Sequence, residues 1–161
     1  MDLMLCQASD ISGDIMAGKY REYDLNYLMR GENIKIYKVN MTGKEIEQFI
    51  TYTLEQEHSK SSVVNDSTLY VSSGFEMELS KTKEGYQLEQ LTIQGEPLKP
   101  EQTYSFGVIS STYHFAEPIF EKMGITAFDF HENTANELFI QRLTGGGQLS
   151  EPTSYISLKK K

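Results

Sequence analysis

Apolar positions along this chain change period several times, and the changes mark out its elements. Leu3-Met4-Leu5-Cys6 is a continuous apolar run too short for a helix, and it reads as a buried strand. The next stretch, Asp10 to Lys19, holds Gly13 and Gly18 and reads as a loop. Leu25, Leu28 and Met29 place apolar groups on one side of Tyr23 to Met29, predicting two helical turns closed near Gly31. Ile34 to Met41 is rich in β-branched and aromatic residues and reads as a strand. In Thr42-Gly43-Lys44-Glu45 a hydroxyl and a carboxylate stand three residues apart, the spacing of a capping box. Ile46, Phe49, Ile50, Thr53 and Leu54 then recur at helical spacing, so a helix is predicted from about Gly43 to Glu57.

His58 to Ser67 is polar and reads as a loop, and three strands are predicted after it: Thr68 to Ser72, Phe75 to Ser80 and Tyr86 to Ile93. Glu84-Gly85 supplies a turn between the last two, and Gly95-Glu96-Pro97 ends the third. Past Pro100, Tyr104 to Ile109 reads as a further strand. Ser111 to Met123 has helical character that Pro118 is expected to break early, because the residue before a proline disfavours helical dihedrals. Glu132 to Leu143 reads as a helix stopped by Gly145-Gly146-Gly147, and Thr153 to Leu158 as a last edge strand. Strands and helices mixed without a regular βαβ alternation predict an α+β fold, a mixed β-sheet flanked by helices.

Length and charge narrow the function classes. The 161 residues suit one domain, residues 1–161, with 39% apolar and 24% charged positions. No window approaches the roughly 18 apolar residues of a membrane span. The first residues lack a basic-then-apolar signal pattern, so an export signal, if the native protein has one, is expected outside this sequence. A formal charge of −8, with Lys159–Lys161 as the sole basic run, would repel a nucleic-acid backbone. Cys6 stands alone, excluding an internal disulfide and a cysteine metal cage.

The chemistry-bearing residues are sparse. His58, His114 and His131 lie in three different segments, and no Asp-x-His or Asn-His-Glu grouping of a two-metal phosphoesterase is present. The triple glycine lacks the following Lys-Ser/Thr of a phosphate loop and reads as a helix stop. Ser72-Ser73 and Ser110-Ser111 have no Gly-x-Ser-x-Gly frame. Asn40 and Asn65 open glycosylation triplets of a kind that arise often by chance. Taken from its residues alone, this is an acidic α+β domain without a visible catalytic constellation.

The order of its pieces, however, resembles the C-terminal domain of the 5'-nucleotidase family. There a strand leads to an Asn-Gly-Gly-Ile-Arg-like loop, then a short helix, a strand, and a helix opening with Thr-Gly. This chain has Leu3 to Ser12, Tyr23 to Met29, Ile34 to Met41, and then Thr42-Gly43. A Gly-containing strand pair follows, similar to Leu69-Tyr70-Val71-Ser72-Ser73-Gly74-Phe75. A Gly-x-Pro-Leu-x-Pro turn before Thr-Tyr is similar to Gly95-Glu96-Pro97-Leu98-Lys99-Pro100 before Thr103-Tyr104. The resemblance covers Asp2 to Glu117; residues 118–161 add a helix and a tail.

The resemblance implies a domain that recognises a nucleotide or nucleoside for an N-terminal metallophosphoesterase domain of the same native chain, where two divalent metals are expected. No cofactor is implied for this chain, and by itself it is expected to be inactive. It also implies an extracellular, cell-surface or periplasmic setting. In the family two aromatic rings clamp the base while Arg and Asp side chains hold the rest of the substrate. Carried over, the arginine falls at Ser12, the first ring at Leu69 or Tyr70, the second at Tyr113 or Phe115, and the acid at Glu117. The candidate substrate residues are therefore Tyr70, Tyr113, Phe115 and Glu117. The competing expectation is a binding or interaction module that keeps the fold without nucleoside recognition.

Overall fold

The computed structural model describes residues 1–7, 21–29, 31–60, 70–83, 85–145 and 156–159. The loops expected around Gly13 and Gly18, most of the polar stretch after the second helix, Ser12, Leu69, Glu84 and the glycines 146 and 147 lie outside them. Thirteen elements follow in chain order: β1 (Leu3–Gln7), α1 (Glu22–Leu28), β2 (Ile36–Thr42), α2 (Gly43–Lys60), β3 (Tyr70–Ser73), β4 (Phe75–Lys81), β5 (Tyr86–Ile93), β6 (Glu96–Pro97), β7 (Thr103–Ile109), α3 (Ser110–Lys122), β8 (Asp129–Phe130), α4 (Ala135–Thr144) and β9 (Ile156–Lys159). The fold is α+β, as expected, but its strands are divided between two sheets. One has the order β3-β1-β7-β2-β8 and the other β6-β5-β4-β9. The first is mixed: β1 and β7 run parallel and the remaining pairs antiparallel.

Burial follows the sequence periods. On β4, Phe75, Met77 and Leu79 are buried and alternate with Glu76 and Glu78 on the other face. On β5 the inward residues Tyr86 and Leu88 are out of phase with Leu91 and Ile93, a spacing a flat strand cannot serve. A register shift absorbs the difference, since Glu78 opposes Gln90 while Leu79 opposes Leu88. The extra residue, Glu89, accepts a hydrogen bond from the Ser80 hydroxyl at 2.6 Å. Between β3 and β4 the chain passes from one sheet to the other at Gly74, whose φ is +89°. A Cβ there would stand 2.2 Å from the Asp2 carbonyl oxygen, so only glycine allows this crossing.

Helix α2 begins at the expected capping box. The Thr42 amide donates to the Glu45 carboxylate at 2.7 Å, and the Glu45 amide donates to the Thr42 hydroxyl at 3.3 Å. The helix continues past Glu57 to Lys60, through a segment read from sequence as loop. Glu57 and Lys60 are good helix formers, and no Gly or Pro interrupts them. Its stripe places Ile46, Phe49 and Ile50 in the core, where Phe49 meets Phe106 of β7 at 5.3 Å and Phe120 of α3 at 4.8 Å. The Phe49 ring thereby joins α2 to the central strand β7 and to α3.

The expectation of an early break in α3 is overturned: the helix runs from Ser110 to Lys122 with Pro118 inside it. Pro118 forgoes only the bond to the carbonyl of His114. Both residues are exposed, so water can take that carbonyl. Meanwhile Thr112, Ala116, Ile119 and Phe120 are buried on the opposite side and hold the helix to the sheet. Helix α4 opens at Ala135, three residues past the Glu132 start expected from sequence, because Thr134 and Glu137 form a second capping box there. Behind it the buried Asn136 amide donates to Asn26 at 2.9 Å and to the Gly31 carbonyl at 2.8 Å, and its oxygen accepts the Ile34 amide at 3.0 Å. That side chain ties α4 to the turn after α1.

Candidate functional site

The α3 helix starts directly from the end of β7 and carries three of the four candidate residues. Tyr113 lies one turn into it, and its ring stacks flat on Tyr37 of β2, with centroids 4.0 Å apart and planes 1° apart. Phe128 closes on the edge of Tyr113 at 5.0 Å, and Phe120 lies nearly parallel at 6.1 Å. Glu117 follows one helical turn later, where i and i+4 side chains meet, and accepts the Tyr113 phenolic hydrogen bond. Burial, then the negative charge of Glu117, push the phenol above its usual range, so Tyr113 is a neutral donor at physiological pH.

Phe115 faces elsewhere. Two residues correspond to roughly 200° around a helix, and its half-buried ring packs against the main core. Tyr70 opens β3, opposite Gln7 of β1. In the sheet order, β1 and β7 separate β3 from β2, so the Tyr70 backbone stands three strand spacings, roughly 14 Å, from the strand on which Tyr113 rests. Tyr113 and Glu117 are thus brought together, Phe115 packs against the core as Tyr113 does but from another side of α3, and the Tyr70 backbone belongs to the far edge of the sheet.

The partners of Tyr113 were not singled out from sequence. Tyr37 was read as a strand residue, and Phe128 and Phe130 fell between predicted elements. The two-residue β8 pairs Phe130 with Tyr37, their rings 4.9 Å apart, and the Lys35 ammonium lies 5.2 Å from the Phe130 ring. The usable signal was spacing: Lys35, just before β2, and Tyr37 on it stand two residues apart, and a Phe-x-Phe pair follows α3 in the chain.

Of the histidines, His114 is exposed beside Tyr113, with rings 5.6 Å apart. His131 exchanges short contacts of 3.1 Å with the Asn133 backbone through Nδ1. Among the described residues, no group of three or more His, Cys, Asp or Glu side chains is placed to hold a metal ion, and no helix is long and apolar enough to cross a membrane.

Comparison with solved structures finds the same fold in larger proteins. The NAD nucleotidase of Haemophilus influenzae superposes with a TM-score of 0.72 at 16% identity, over 99% of this chain and 30% of that one. A 5'-nucleotidase precursor from Thermus thermophilus gives 0.72 at 15% identity, over 99% of this chain and 32% of its own. The Thermus thermophilus sulfate thiohydrolase SoxB gives 0.68 at 15%, over 99% and 29%. This chain therefore spans about a third of the length of the structures it resembles. No match is found among curated protein sequences. The model of the 5'-nucleotidase C-terminal domain family matches residues 1–116, from β1 into the middle of α3. The chain belongs to the 5'-nucleotidase C-terminal domain family.

Proposed function

We propose that this chain is the substrate-recognition domain of a 5'-nucleotidase-like metallophosphohydrolase acting on nucleotides or related phosphoesters. The match of residues 1–116 to the family's C-terminal domain carries the reading. In it, a metallophosphoesterase domain preceding this one in the native protein completes the enzyme. Two divalent cations bound in that domain supply the Lewis acid and the activated water for phosphoester cleavage. This chain's residues bind and orient the substrate. Tyr113 and Glu117 are its leading contacts, a half-buried aromatic ring beside an exposed carboxylate on α3. Tyr70 contributes from the other edge of the sheet, and Phe115 acts through packing.

One observation favours a second reading. Tyr37 covers a face of Tyr113, so part of the stacking capacity of that ring is used within the protein. A binding or interaction module that kept the fold and lost nucleoside recognition fits this arrangement. Titration with adenosine and adenosine monophosphate, followed by amide chemical shifts, separates the two. Substrate recognition expects saturable binding with Kd near or above about 1 mM, with shifts at Tyr113 and Glu117. No shift at any residue supports the interaction module.

A further inference from the structure

We propose that the groove between α2 and the β4–β5 hairpin binds an organic cation, a primary ammonium carried on a short aryl or alkyl body. This site is separate from the Tyr113 cluster and does not depend on the nucleotide reading.

The groove encloses about 450 Å³, within the roughly 300–1,000 Å³ typical of small-molecule sites. Its origin lies in the sequence. The stripe that sinks Phe49 and Ile50 into the core turns the flank of α2, with Glu47, Thr51 and Glu55, toward the hairpin. The register shift at Glu78/Leu79 lies partway along the hairpin, and such shifts bend and twist the strands that carry them. Between the hairpin tip and the helix a trough is left open.

The floor is apolar. Leu54 is 8% exposed, and Tyr86 and Leu88 pack half-buried against the main core, so the floor is fixed without a ligand. The helix wall is acidic. Glu47, Thr51 and Glu55 are spaced four residues apart along one side, which sets the two carboxylates roughly 12 Å apart along the axis. Between them the Thr51 hydroxyl donates to the Glu47 carbonyl at 2.8 Å. Lys83 faces them from the hairpin tip, so among the described lining residues there are two formal negative charges and one positive.

These features select a ligand by charge and shape together. An aryl or alkyl body would rest on Leu54, Tyr86 and Leu88, with its ammonium toward the acidic wall and within reach of the electron-rich Tyr86 ring. An anion would meet two carboxylates on a protein of formal charge −8. A neutral body of the same shape would bury the same surface without the charge contact.

The test uses the ¹⁵N-labelled chain, with phenethylammonium as probe and 2-phenylethanol as its neutral counterpart. Saturable shifts centred on Thr51, Leu54 and Leu88 are expected. The alcohol should bind at least about fivefold more weakly, and the double variant Glu47→Gln/Glu55→Gln should weaken the amine by about the same factor. These surface substitutions leave the core untouched, so a folded amide spectrum is expected for the variant. The proposal is overturned by an absence of saturable shifts, by shifts centred elsewhere, by equal binding of alcohol and amine, or by a variant that binds the amine unchanged.

Discussion

Tyr37 and Tyr113 lie face to face, 4.0 Å between ring centroids and 1° between planes, and this contact joins β2 to the first turns of α3. It sets the position of a candidate substrate ring that stands beside a carboxylate, Glu117. A stacked aromatic pair contributes about 0.5–1.5 kcal/mol beyond the area it buries. Tyr37 also meets Phe128 and Phe130, so its ring anchors the edge of the sheet as well.

Truncation of Tyr37 should therefore cost stability out of proportion to its half-buried state. Tyr37→Ala is expected to lower unfolding free energy by about 2–3 kcal/mol, while Tyr37→Phe keeps the stack and should stay within about 0.5 kcal/mol of the parent. Urea melts of the two variants measure this. Equal loss in both would show that the hydroxyl, and not ring packing, carries the contact.

Pro118 sits inside a continuous helix without an N–H to donate. Because its side chain is exposed, replacing it removes the helix penalty and disturbs no packing. Pro118→Ala should stabilise the chain by about 1–3 kcal/mol. A melting temperature that stays the same or falls would place the helix break back at this residue.

The cap of α2 and its buried stripe contribute separately to stability. Thr42→Ala removes the acceptor of the Glu45 amide and should cost about 1 kcal/mol. Phe49→Ala empties a site that touches both Phe106 and Phe120 and should cost about 3–5 kcal/mol. Denaturant unfolding of both variants should reproduce that order; a larger loss from the cap than from the ring contradicts it.

The α4 cap should be sensitive to acid. Glu137 accepts the Thr134 amide at 2.7 Å and the Thr134 hydroxyl at 3.1 Å, and these bonds hold its carboxyl below the usual range. A carboxyl lowered in the folded state contributes stability above its unfolded pKa and loses that contribution as pH falls through the folded value. Amide exchange across Ala135 to Glu137 should accelerate as pH drops below about 4, relative to the chemical exchange rate. Glu137→Gln, which cannot titrate, should abolish this local dependence, whereas Thr134→Ala keeps the amide donor and should only weaken it; a Glu137→Gln variant that keeps the dependence would show that another group is titrating.

Much of the fold was legible because local rules and burial agree. Leu3 to Cys6, Phe75 to Ser80 and Tyr86 to Ile93 carry strand periods, and the sheets use them nearly as read. Thr42 and Glu45 announce a helix start through bonds that span three residues, so no tertiary information was needed. The order of those elements, with Thr42-Gly43 and the Gly95–Pro100 turn, also sufficed to indicate the family. The tertiary structure decided what depends on distant partners. Pro118 stays helical because Ile119 and Phe120 are buried beside it and its own side is wet, a balance that its neighbours in sequence do not reveal. Tyr113 and Phe115 looked interchangeable as ring donors, and both pack against the core, yet it is the helix that lays Tyr113 flat on Tyr37. Residue 70 comes before residue 113 by less than a third of the chain, but the sheet order puts two strands between β3 and β2. Sequence determined the elements, since each is a local balance of period, cap and turn; pairing across the sheets determined which side chains meet.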